Sequence, residues 1–267
     1  MDSNHFEFLL FSTEPTFIQQ ADKAGIDGFI VDWERLDKYS RQKGFDTQIN
    51  KDTLQDLERV RHSTAKTVLC RINGFHQNTT NEIDLAISAG ADEIFLPMVR
   101  SPEEVARTLD IIKGRCQLSI LIETQEAVNN AAALTAFPLR RIYLGMNDLA
   151  IDRGLKNIFI SIIDGTVESV RTQINLPCGF AGLTLPELGS PIPCRLLTAE
   201  MARLNCQFTF LRRSFIKDIA GKDMQHEVPR MRQALQAAHQ RSSREIHSDQ
   251  KELTALVSQW DAVSLPQ

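Results

Sequence analysis

The chain has 267 residues, 42% hydrophobic and 24% charged, the composition of a globular protein that can bury a large core. Its formal net charge is -4 and no run of Lys and Arg is present, which excludes an electrostatic nucleic-acid binder of the usual kind. No stretch approaches the roughly 18 apolar residues of a membrane span. Five cysteines without a C-x-x-C pair read as reduced thiols.

The first residues, Met1-Asp2-Ser3-Asn4-His5, lack a basic segment, and the apolar stretch after them is short for a secretion signal. A cytoplasmic protein is therefore expected. Residues 6–11 form the first of eight short apolar, β-rich runs. The second, 28–32, closes on Asp32-Trp33-Glu34 and leads into a long polar connection, 33–50, carrying Tyr39, Arg41, Lys43 and Gly44. The third, 67–72, ends in Arg71-Ile72-Asn73. Thr79-Thr80-Asn81-Glu82 opens a helix with a cap and Gly90 stops it.

The fourth run spans 93–99. Ser101-Pro102-Glu103-Glu104 then supplies an N-cap, a first-turn proline and two acids to a second helix. The fifth, 117–122, is followed at once by Glu123, and Thr124 opens an alanine-rich helix expected to continue to Ala136. The sixth, 141–144, leads into Gly145-Met146-Asn147-Asp148. After the seventh, 178–183, residues 184–193 hold Pro186, Gly189, Pro191 and Pro193 and read as a rigid lid or ledge. The eighth, 208–211, ends in Arg212-Arg213-Ser214.

Most of these runs lack the polar alternation of a half-wetted strand, so they read as strands buried on both faces of a parallel sheet. Eight strand–helix units without a Gly-rich phosphate turn after the first strand favour a (β/α)8 TIM barrel over an open sheet. The barrel is expected over residues 1–230. A helical extension, 231–267, carries the apolar stripe Leu253, Leu256, Val257 and Trp260, to be buried on the barrel or on a neighbouring subunit.

Barrel enzymes place their chemistry at the C-terminal ends of the strands. Asp32, Glu34, Arg71, Glu123, Asp148, Arg212 and Arg213 are the charges that fall there. Glu93 and Arg141 sit at strand beginnings and read as a solvated lower rim. Glu123 and Asp148 follow neighbouring strands, and two carboxylates so close tolerate ionisation only with a cation between them. The donor set suits Mg2+, and no adjacent histidine argues for zinc. The plain alternative is that each acid pairs with an arginine or caps a helix. The planar fork of Arg71 suits a carboxylate or an enolate oxygen, or a pair with Asp32 or Glu34.

Residues 25–34 (GIDGFIVDWE), Cys70-Arg71-Ile72-Asn73, residues 89–99 (AGADEIFLPMV), Ile122-Glu123-Thr124 and residues 144–150 (LGMNDLA) resemble, in order, motifs of the HpcH/HpaI aldolase and citrate lyase β-subunit-like family. The resemblance covers residues 6–150 well and the remainder weakly. It implies Mg2+ or Mn2+ on Glu123 and Asp148, and an Arg71 that binds the oxo or enolate oxygen of a 2-oxo acid. Gly145, Met146 and Asn147 would hold the substrate carboxylate. Arg212 and Arg213 are added as candidates for recognising an anionic substrate, and Glu34, Asp32 or a metal-bound water as the general base.

The implied activity is a carbon–carbon lyase or aldolase working through an enolate, in a homo-oligomer, trimeric or hexameric. An acyl-CoA lyase or thioesterase on the same scaffold, and a non-catalytic binding subunit, are the alternatives. Two departures stand out. Arg35 occupies the place of the histidine that the aldolases use for acid–base chemistry, and Met98 the place where citrate lyase-like members often carry lysine.

Overall fold

The computed structural model describes residues 5–36 and 51–264. Eight strands run parallel: β1 (Glu7–Phe11), β2 (Gly28–Asp32), β3 (Thr67–Arg71), β4 (Glu93–Leu96), β5 (Gln117–Ile122), β6 (Ile142–Leu144), β7 (Cys178–Phe180) and β8 (Phe208–Phe210). Their order is β7-β6-β5-β4-β3-β2-β1-β8, each hydrogen-bonded to the next. All eight expected strands are present. Every position of β2 and of β4 is buried, as strands wedged between a barrel interior and a helical shell require.

The barrel is nearly closed. Between β7 and β8 the contact is carried by the Gln207 amide on the Cys178 carbonyl (3.2 Å) and by a parallel bridge from Leu183 to Leu211. Gly179 keeps this seam narrow, since a Cβ there would stand 2.3 Å from the Phe208 carbonyl oxygen and 3.2 Å from the Tyr143 ring. Alternation sorts the side chains. Leu9, Ile30, Leu69, Phe95, Leu121, Tyr143, Phe208 and Phe210 form one cluster inside the barrel, while Phe8, Leu10, Phe29, Val31, Val68 and Cys70 join the larger core outside it.

Three local expectations are corrected. The helix Thr79–Ser88 starts one residue earlier than a Thr79 cap requires: Asn78 is the N-cap, and the Thr79 hydroxyl accepts from His76 N–H (2.8 Å). The alanine-rich helix after Thr124 breaks at Asn130 into Gln125–Asn129 and Ala131–Leu134. The fourth strand ends at Leu96 rather than Val99, since Pro97 has no N–H to give the ladder and Met98 turns to φ 54. The Ser101 cap forms as expected, accepting from Glu104 N–H.

The lower rim is not solvated. Glu93 and Arg141 are 0% and 1% exposed and paired at 3.0 Å. Ser119 also donates to Glu93, Glu7 of β1 accepts from Arg141, and the Arg141 guanidinium lies 5.0 Å from the centre of the Phe208 ring. A charge in that place is tolerable only because it is paired and hydrogen-bonded. This floor links β1, β4, β5, β6 and β8 beneath the lumen.

The helix Met224–His239 contacts the helices Pro15–Ala24 and Cys194–Arg203. The last helix, Ser243–Ser264, buries Leu253 and Val257 on the chain's own barrel. Asn157 donates to the Val257 carbonyl (2.9 Å) and Phe159 meets Trp260 edge to face. Among the described residues no helix is long and apolar enough to cross a membrane. Most of the connection 33–50, with Tyr39, Arg41, Lys43 and Gly44, lies outside the described residues.

Candidate active site

The mouth of the barrel at the C-terminal ends of β2, β3, β5 and β6 gathers Asp32, Glu34, Arg71, Glu123 and Asp148. Beneath them lies an aromatic floor. Tyr143 stacks on Phe210 with ring centroids 3.7 Å apart, and Phe11 and Phe95 meet Phe210 edge-on at 5.3 and 5.6 Å. The Arg71 guanidinium sits 5.2 Å from the centre of the Phe11 ring.

Asp32 and Arg71 are register partners on neighbouring strands. Arg71 uses its fork on Asp32, with Nε to Oδ1 at 2.8 Å and Nη2 to Oδ2 at 2.7 Å, while Nη1 lies 3.5 Å from Glu34 Oε2. Burial works against the guanidinium charge, but the carboxylates of Asp32 and Glu34 outweigh it and hold the Arg71 pKa above its usual value. Asp32 also accepts the Glu34 amide (3.2 Å) and gives its own N–H to Asp52. The structure thus shows the arginine-pairing alternative, with both Asp32 and Glu34, and leaves Nη1 as the edge of Arg71 nearest Glu34.

Glu34 is placed from both sides. Beyond it, Asn73 Oδ1 accepts both the Arg35 and the Leu36 amides at 2.8 Å, and Glu82 holds Asn73 through its side-chain amide (2.6 Å) and its backbone N–H (3.1 Å). Asn73 was visible in the third-strand motif but nothing in its residue type announced this bracing role. Arg35 itself is exposed and its guanidinium donates to the Asp52 carbonyl. It does not stand in for a histidine.

Glu123 is 3% exposed and Asp148 5%. Burial first, then the Asp148 and Glu34 carboxylates, push the Glu123 pKa up to about 8, against the pull of Arg71 and of the Met98 N–H. Met98 N donates to Glu123 Oε2 at 3.0 Å, from a residue bent into the left-handed region. On the other side, a Cβ on Gly145 would stand 2.1 Å from Glu123 Oε1. Asp148 lies in the first turn of the helix Met146–Asp152, for which Gly145 is the N-cap.

Gly145 contributes space rather than a donor, because its N–H is already given to the Ile122 carbonyl at 3.0 Å. Of the three residues expected to hold a carboxylate through the backbone, Met146 and Asn147 retain first-turn N–H groups without an intrahelical acceptor. Alternation also separates the two arginines after β8. Arg212 follows Phe208 and Phe210 on the lumen side, whereas Arg213 is exposed at the start of the helix Arg213–Asp218.

Among the described residues no group of three or more His, Cys, Asp or Glu gathers as a metal cage. The pair Glu123 and Asp148 still fits a hard divalent cation, which takes one or two carboxylates and completes its shell with water and substrate oxygens.

The family model for HpcH/HpaI aldolase/citrate lyase matches residues 7–158, which include Asp32, Glu34, Arg71, Glu123 and Asp148 but not Arg212 or Arg213. The chain belongs to the HpcH/HpaI aldolase/citrate lyase family. Its fold is similar to the crystal structure of an HpcH/HpaI aldolase from Desulfitobacterium hafniense DCB-2, with TM-score 0.61, 14% identity, 90% of this chain covered and 95% of that one. It is also similar to the citrate synthase SbnG, with TM-score 0.59, 16% identity, 81% of this chain covered and 90% of that one. At these identities the likeness is one of fold. No curated protein matches the sequence.

Proposed function

We propose that this HpcH/HpaI family member is a carbon–carbon lyase or aldolase that depends on Mg2+ or Mn2+ and works through the enolate of a small 2-oxo acid. The observation that carries this reading is Glu123. A nearly buried carboxylate held against a second carboxylate, Asp148, is an expensive arrangement unless a cation shares it. A divalent cation bound by Glu123 and Asp148 would supply Lewis-acid polarisation of the substrate's oxo group.

The chain's own residues do the rest. Arg71, fixed by Asp32 and already charged, directs Nη1 toward an oxygen on which negative charge grows during enolate formation. Asp32 is committed to that arginine by two bonds, so it is a positioning residue. Glu34, beside Nη1 and near Glu123, is the carboxylate placed to take the proton from the carbon next to the oxo group. The first-turn amides of Met146 and Asn147 orient the substrate carboxylate, and the aromatic floor closes the lumen below it. A cytoplasmic homo-oligomer acting on a small anionic substrate goes with this reading.

Purified protein assayed with Mg2+ on oxaloacetate and on pyruvate–aldehyde mixtures tests it. Turnover that disappears with EDTA is the expected result. Failure to turn over any of these substrates with Mg2+ or Mn2+ sinks the reading.

A further inference from the structure

Arg212 is the cation at the barrel mouth whose Nη2 has no acceptor. Its Nε donates to the Gly182 carbonyl at 3.0 Å, while Nη2 is buried without a hydrogen-bond partner among the described residues. Asp218, an acid that acts on it electrostatically, accepts instead from the Thr184 hydroxyl at 2.5 Å. Burial lowers the Arg212 pKa, with only weak opposition from Cys194, Tyr143 and Asp218. A buried guanidinium nitrogen left without an acceptor is costly, and such groups in native folds call for an explanation.

The backbone is shaped around this side chain. A Cβ on Gly182 would stand 3.2 Å from Arg212 Cγ, and one on Gly189 would stand 3.3 Å from Nη1. Both glycines are in the left-handed region, at φ 114 and 110, so the ledge 184–193 and the end of β7 approach the guanidinium as backbone. Arg212 as a whole residue remains partly exposed, although its Nη2 is buried.

The two mouth arginines differ in charge balance. Arg71 is matched by Asp32 and Glu34. Among the described residues Arg212 has no bonded carboxylate. Both guanidiniums act electrostatically on the hydroxyl of Tyr143 in the aromatic floor. A small molecule whose oxo end lies at Arg71 and Glu123 and that crosses the mouth toward the end of β8 would meet Arg212.

We propose that Arg212 is a specificity-determining residue that binds a second anionic group, a carboxylate, at the far end of a 2-oxo acid substrate. The carboxylate reaches the partly exposed side chain and gives the guanidinium the charged acceptor it lacks. This rests on the enolate reading only for where the oxo end lies.

The test compares two acids of equal length, 2-oxoglutarate and 2-oxopentanoate, which differ only in the terminal carboxylate. Binding is measured by titration calorimetry with Mg2+ on the wild-type protein, Arg212→Gln and Arg212→Lys. Wild type should favour 2-oxoglutarate by about tenfold or more, as a charge-assisted pair predicts. Arg212→Gln should bind both acids equally, and Arg212→Lys should keep part of the preference. Equal wild-type affinities, binding of neither acid, or a preference that survives in Arg212→Gln overturns the proposal. Pyruvate has no second carboxylate, so loss of wild-type activity on pyruvate would count against the enolate reading and not against Arg212.

Discussion

Gly145 and Glu123 are fitted to each other across neighbouring strands: the space a Cβ would need on Gly145 is taken by Glu123 Oε1, 2.1 Å away. The glycine's own φ of -82 demands no special residue, so space alone selects it. Gly145→Ala must displace the carboxylate or the start of the helix that carries Asp148. Activity should fall by roughly 100-fold, the effect of about an ångström of misplacement. The measurement is kcat/KM at saturating Mg2+, with circular dichroism showing a folded protein.

The acid pair gives a pH signature. In the folded, metal-free chain Glu123 keeps its proton up to about pH 8, whereas in an unfolded chain it releases it near its ordinary 4.5. Between those values the folded state binds more protons than the unfolded one, so its contribution to stability falls as pH rises. In EDTA, Tm should decline from pH 5 to pH 8, and Glu123→Gln should flatten that decline. Mg2+ should restore stability most at the alkaline end, where it no longer competes with the proton.

Arg71→Lys keeps a charge but loses the planar fork that pairs with both Asp32 oxygens while presenting Nη1. Its kcat should drop by roughly 100-fold with the fold retained. An Arg71→Lys enzyme with wild-type kcat would remove this arginine from the reaction.

The barrel floor makes a separate prediction about stability. Arg141→Met leaves Glu93 buried without its partner and should cost roughly 3–5 kcal/mol, measured by urea unfolding. Adding Glu93→Gln to that variant should recover part of the loss, because the uncompensated charge is gone.

The strands were legible because each is a short apolar run, and those of β2, β3, β5, β6 and β8 lead into a charged residue at the mouth. The same feature exposed Asp32, Arg71, Glu123 and Asp148. What stayed hidden depended on contacts across the barrel. Glu93 and Arg141 each look like rim charges alone, and only the register of β4 against β6 through β5 brings them together. Gly145 read as an amide donor because sequence does not show that Ile122 has already taken its N–H. The difference between Arg212 and Arg213 was within reach, since alternation from Phe208 and Phe210 places the first inside and the second out. Asn73 acts through its neighbours on two other segments, and no local pattern reveals that.

Exchange of the methyl protons of pyruvate for deuterium, followed by proton NMR in D2O, reads enolate formation without an acceptor or a cleavage step. Glu123 and Asp148 sharing a divalent cation predicts rapid exchange with Mg2+ or Mn2+, lost in EDTA and in both Glu123→Gln and Asp148→Asn. Exchange that continues undiminished in EDTA, or in either variant, would contradict it.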